Sequence, residues 1–96
     1  MNIYTEKDGM MKEYDKLEDK LLFEGECLNK KRNGKGKEYD WNGNLIFEGE
    51  YLNGKRNGKG KEYYFDGELE FEGEYLYGKE WDGKGYNLNN NNIEYI

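Results

Sequence analysis

Phe47-Glu48-Gly49-Glu50-Tyr51-Leu52-Asn53-Gly54-Lys55-Arg56-Asn57-Gly58-Lys59-Gly60 is the stretch that decides the fold. Its opening tetrad returns as Phe23-Glu24-Gly25-Glu26 and as Phe71-Glu72-Gly73-Glu74, at a spacing of 24 residues. Residues 23–46 and 47–70 are identical at 17 of 24 positions. A period of this length marks a supersecondary unit stacked on copies of itself, since one such unit cannot bury its apolar face alone. A stack presents a long repeated surface rather than one catalytic pocket.

Within a unit the pattern is that of strands. Phe47, Gly49 and Tyr51 fall on one side of an alternating segment, and Glu48 and Glu50 on the other. Asn53 to Gly58 reads as a glycine-rich loop and Lys59 to Tyr64 as the return strand. Asp66-Gly67, like Asn42-Gly43 one copy earlier, supplies a tight turn that favours positive φ. Glycine normally weakens a strand. Gly49, Gly58 and Gly60 recur in every copy, which points to rings lying across the neighbouring strand.

The ends carry worn copies. Lys12-Glu13-Tyr14-Asp15 repeats Lys37-Glu38-Tyr39-Asp40, so a degenerate unit is expected over residues 1–22. Met10, Tyr14, Leu17 and Leu21 fall at helical spacing, and an amphipathic helix stays open as the alternative there. The units run over 23–46, 47–70 and 71–92. Residues 89–92 read as a low-complexity turn, and residues 93–96 as a closing strand that echoes Leu69-Glu70-Phe71.

These residues resemble the MORN repeat, the membrane occupation and recognition nexus. Its pattern is an aromatic, x, Gly, x, aromatic, then Asn-Gly-Lys-Arg-x-Gly-x-Gly, a Tyr and an Asp-Gly turn. Residues 23 to about 87 carry it three times. Cys27 departs from it at the second aromatic of the first copy, Lys30 at a glycine, and Trp81 enters the third loop. The resemblance implies an all-β, elongated, single-layer antiparallel sheet of consecutive hairpins. It also implies a non-enzymatic scaffold that binds proteins or forms dimers, with anionic lipid as a less secure ligand.

Composition bounds the chemistry. The formal net charge is −6, which argues against general nucleic-acid binding. No apolar run reaches the length of a signal peptide or a membrane span. The single cysteine, Cys27, fits a reducing compartment, so an intracellular, cytoplasmic protein is expected. With no His and no Ser, the usual nucleophile and base pairings cannot be built, and no cluster of Cys and His suggests a metal. No catalytic residue, cofactor or metal site is therefore expected.

Two candidate surfaces remain. Phe23, Cys27, Phe47, Tyr51, Phe71 and Tyr75 share a face by parity and suit a stacked core. Trp41, Phe65 and Trp81 vary between copies while the frame does not. With Tyr51 and Tyr75 they are the candidate protein-binding residues, Trp and Tyr being favoured anchors. The basic residues Lys31, Arg32, Lys55, Arg56 and Lys79 recur once per unit. Stacked hairpins would line them up roughly 10 Å apart, a candidate row for phosphates or acidic ligands. Unpaired end strands would also invite a homodimer.

Overall fold

The structure is a computed structural model that describes residues 2–86 and the backbone of residues 93–95. Nine antiparallel strands follow one another in a single sheet, each paired with its sequence neighbours. They are β1 (Asn2–Lys7), β2 (Met10–Asp15), β3 (Leu21–Leu28), β4 (Lys31–Tyr39), β5 (Leu45–Leu52), β6 (Lys55–Tyr63), β7 (Leu69–Leu76), β8 (Lys79–Tyr86) and β9 (Ile93–Tyr95). The described residues contain no helix, and the N-terminal segment is the hairpin β1–β2 rather than an amphipathic helix. Met10 and Tyr14 lie on β2, and Leu17 lies in the turn beyond it. The asparagine-rich turn at 89–92 falls outside the described residues.

Three adjacent cross-strand rows explain how a single layer holds together. The first is glycine throughout its centre: Met11, Gly25, Gly36, Gly49, Gly60, Gly73 and Gly83 stand in register from β2 to β8. Beside it, Glu13, Phe23, Glu38, Phe47, Glu62 and Phe71 alternate acid and ring. The rings reach over the bare glycines. A methyl group on Gly60 would lie 2.7 Å from Phe47 Cε1 and 3.0 Å from Tyr75 Cε1. The strand glycines thus make the space in which a one-layer sheet buries its aromatic residues.

Phe23, Phe47 and Phe71 are fully buried, and Met11, Tyr51 and Tyr75 nearly so. The rings form an edge-to-face zigzag in the order Phe23, Tyr51, Phe47, Tyr75, Phe71, with centroids 5.2–5.6 Å apart. Such pairs add roughly 0.5–1.5 kcal/mol each beyond the area they bury. Cys27 takes the place of a ring in the first unit and packs partly buried against this cluster.

The loop expected over Asn53 to Gly58 is shorter than that reading. Only Asn53 and Gly54 turn, with φ of 50° and 88°, and Lys55 already begins β6. Two successive positive φ angles are the hairpin turn whose twist matches the flanking strands. In the first unit Lys30 occupies the glycine position at φ 65°. A side chain pays about 1 kcal/mol or more in that region. Lys30→Gly is therefore expected to raise the unfolding free energy by about 0.5–1 kcal/mol, read as a higher urea midpoint, because the glycine's extra freedom in the unfolded chain takes back part of the gain.

Candidate functional site

On the ring face, the two arginines close the core. Arg32 lies over Phe23 at 4.3 Å and Arg56 over Phe47 at 4.0 Å, measured from the guanidinium carbon to the ring centroid. Arg32 donates to Glu13 at 2.6 Å and lies 3.7 Å from Glu38. Arg56 joins Glu38 and Glu62, both at 2.8 Å. The hydroxyls of Tyr51 and Tyr75 donate to Glu38 and Glu62. A chain of charges, Glu13, Arg32, Glu38, Arg56, Glu62, thus runs across the rings and shields them. Burial, then the bonds to these glutamates, pushes both tyrosine hydroxyls far above their ordinary range.

That arrangement changes the reading of several candidates. Tyr51 and Tyr75 are core residues sealed beneath the charge chain, so a partner cannot reach their rings without opening it. Arg32 and Arg56 point into the same chain and are not loop cations. The reason is a register shift in each hairpin, at Gly25/Cys27 and at Gly49/Tyr51, which sets each arginine opposite Cys27 or Tyr51 on the ring face. Lys31, Lys55 and Lys79 do remain along one rim, each in register with an exposed leucine: Leu28, Leu52 and Leu76.

Trp41, Phe65 and Trp81 are exposed, but they do not form one groove. Trp41 and Phe65 tip the turns at one rim, together with Leu17, which is 91% exposed and which the sequence reading set among the helical-spacing residues rather than the surface candidates. Trp81 sits on β8 towards the opposite rim. The 24-residue spacing of positions 17, 41 and 65 was the signal that places Leu17 there.

The charge chain stops at the third unit. Lys79-Glu80 aligns with Lys55-Arg56, so Glu80 stands opposite Tyr75 where an arginine stands opposite Tyr51. Glu80 meets Glu62 and Glu70 there. Burial, then the charge of Glu62 and a hydrogen bond to it, raises the Glu80 carboxyl; burial, then Glu62, raises that of Glu70. Glu38 behaves oppositely. Burial alone would raise it, but hydrogen bonds from Arg56 and Tyr51 and the charges of Arg56 and Arg32 together hold it below its ordinary value of 4.5.

The sign of the pH dependence follows. A raised carboxyl favours folding below its unfolded value and loses that contribution as pH rises through the folded one. A depressed carboxyl contributes above the unfolded value and loses it as pH falls through the folded one. Stability is thus expected to rise as pH falls towards the ordinary carboxylate value of 4.5, as Glu70 and Glu80 take up protons above it, and to fall again below that value, when Glu38 does. Glu80→Arg should complete the chain, flatten the rise, and lift the melting temperature by about 4–8 °C for each kcal/mol gained. A thermal melt of both forms across that range checks all three.

The opposite face carries the third row. Lys12, Glu24, Lys37, Glu48, Lys61, Glu72 and Lys84 stand in register from β2 to β8, with strict alternation of sign. Tyr39, Tyr63 and Tyr86 donate to Glu24, Glu48 and Glu72 at 2.5–2.9 Å. Burial, then these bonds, pushes the hydroxyls of Tyr39 and Tyr63 up to about 12. The side-chain positions of the glycine row point to the ring face, so on this side its backbone lies bare between this charged row and that of Lys35, Glu50, Lys59 and Glu74. The result is an open trough of about 1120 Å³ that crosses the sheet from Met10 to Lys84. A smaller hollow of about 330 Å³ lies at the rim, between Leu45, Tyr63 and Phe65.

An open, one-layer stack of hairpins with a trough along it defines a repeat module, in which ligands are met by a surface built once per unit. The family model of the MORN repeat matches residues 23–45 and 47–68, so these two units are MORN repeats. MORN repeats take part in interactions with proteins or membranes. No curated protein and no solved structure matches the chain. The described residues hold no helix long and apolar enough to cross a membrane.

Proposed function

We propose that this chain is a non-enzymatic protein-binding scaffold that seats a segment of a partner polypeptide in the trough. The observation that carries this reading is the trough's floor, where glycines from β3 to β8 expose backbone between alternating Lys and Glu. Both signs of charge lie within one strand spacing of each other, about 5 Å, so a partner segment with mixed charge meets complementary groups along its length. The rim aromatics Trp41 and Phe65 supply apolar anchors beside it. The single thiol, Cys27, favours a reducing compartment such as the cytoplasm.

The test is affinity capture with the intact chain, Lys37→Ala/Lys61→Ala, and Trp41→Ala/Phe65→Ala, each checked for fold by circular dichroism. A protein held by the intact chain and lost from the trough variant supports the reading. If the same protein stays bound to both variants, the trough and its rim are not its site and the proposal fails.

A second reading is a tether to anionic membrane surfaces. It is favoured by the rim where Lys31, Lys55 and Lys79 alternate with Leu28, Leu52 and Leu76, a cationic row with apolar tips. Binding to phosphatidylserine vesicles that weakens with salt and with Lys55→Glu/Lys79→Glu would support it. Absent or salt-insensitive binding would end it.

A further inference from the structure

The two rims of the sheet are opposite in charge and equal in pitch. At one rim the tight turns hold Lys30, Lys31, Lys55 and Lys79, and the single carboxylate there, Asp8, lies beside Lys7. Leu28, Leu52 and Leu76 give this rim apolar tips spaced 24 residues apart. At the other rim, the turns after β4 and β6 hold Asp40, Asp66 and Glu68 and no cation. The turn after β2 adds Asp15, Glu18 and Asp19 against Lys16 and Lys20. Leu17, Trp41 and Phe65 give it apolar tips, again 24 residues apart.

The pitches agree because the same strands run between the rims, two strand spacings or about 10 Å per unit on each side. Sliding one copy along its strand direction by a strand's length brings its acidic rim onto the basic rim of another. Three apolar tips then meet three, and carboxylates face lysines. Asp40 keeps its charge well into acid, since backbone and side-chain hydrogen bonds from Asn44 hold its carboxyl low. None of these side chains belongs to the ring core.

We infer that the acidic rim of one chain docks on the basic rim of a second copy of the same chain, joining sheets side by side. The contact is heterologous, so each added copy leaves one rim free and short open ribbons form at high concentration. The surface shares Trp41 and Phe65 with the rim beside the trough, but the charged residues that carry the docking lie outside the trough.

The test uses two full-length variants that each disable one rim. Glu18→Lys/Asn42→Lys/Glu68→Lys makes the acidic rim basic and spares the capping aspartates. Lys31→Glu/Lys55→Glu/Lys79→Glu makes the basic rim acidic. Circular dichroism confirms the fold of each, and sedimentation velocity reads their mass. The wild-type chain is expected to associate as concentration rises, at least tenfold more weakly in about 1 M salt than in about 0.05 M. Each variant alone should stay monomeric, while an equimolar mixture, in which every basic rim again meets an acidic one, should restore association. The inference is overturned by a wild-type chain monomeric up to about 1 mM, a concentration at which even weak contacts show. Association that persists in both variants, as pairing of the end strands would give, also overturns it. So does a wild-type basic rim that takes up phosphatidylserine vesicles without any self-association.

Discussion

Phe47→Ala is expected to unfold the chain or bring it to the edge of unfolding at room temperature, a loss of about 3–5 kcal/mol. Phe47 is fully buried at the middle of the sheet. It meets Tyr51 and Tyr75 edge-on, at 5.6 and 5.2 Å, and carries Arg56 on its face at 4.0 Å. Removing it leaves a cavity under a guanidinium whose two carboxylates still need it. One layer of strands has no second sheet to collapse into the gap, so relaxation recovers little. Phe23 meets one tyrosine and Phe71 one, so each should cost less. Urea unfolding of the three alanine variants checks the order, and a smaller loss at Phe47 than at Phe23 would contradict it.

The second large effect is Gly49→Ala, and its sign separates two explanations of the strand glycines. Gly49 has no positive φ, so strand propensity alone says that alanine should stabilise by roughly 0.5–1 kcal/mol. The register says otherwise. A methyl group there would lie 2.6 Å from Gly60 Cα and from the Lys59 carbonyl oxygen, both backbone, and 2.8 Å from Phe47 Cζ. No rotamer change relieves a backbone clash, so β5 and β6 must part. The loss is expected at the upper end of overpacking, about 3 kcal/mol or more. Guanidinium unfolding reads it, and an unchanged or raised midpoint would show that the glycine row is not needed for close approach.

Much of this was legible in the residues. The period, the parity of Phe47, Gly49 and Tyr51, and the tight turn at Asp66-Gly67 all follow from local chemistry, and the register across strands follows from repetition. What escaped lies beyond the register shifts. Alternation counted forward from Gly49 carries no information past Tyr51, so Arg56 read as a loop cation and proved to be the lid of the core. Tyr51 and Tyr75 looked equally suited to core and partner, because parity gives a face and not what covers it. With Trp81 read as entering the third loop, the charge of Glu80 goes unremarked in the sequence. Set against Arg56 instead, it shows a reversed charge, and that comparison was available from the sequence. The trough was invisible because its walls are two charged rows on either side of a backbone row, a relation across strands that alternation along one strand does not show.

The most direct measurement places a photoreactive amino acid at position 61, in the trough, and in a second chain at position 65, on the rim. After illumination in the native cell, a partner polypeptide crosslinked through position 61, and lost when Lys37 is changed to alanine, is the expected result. Crosslinks confined to position 65, or none from either position, would contradict a scaffold that holds its partner in the trough.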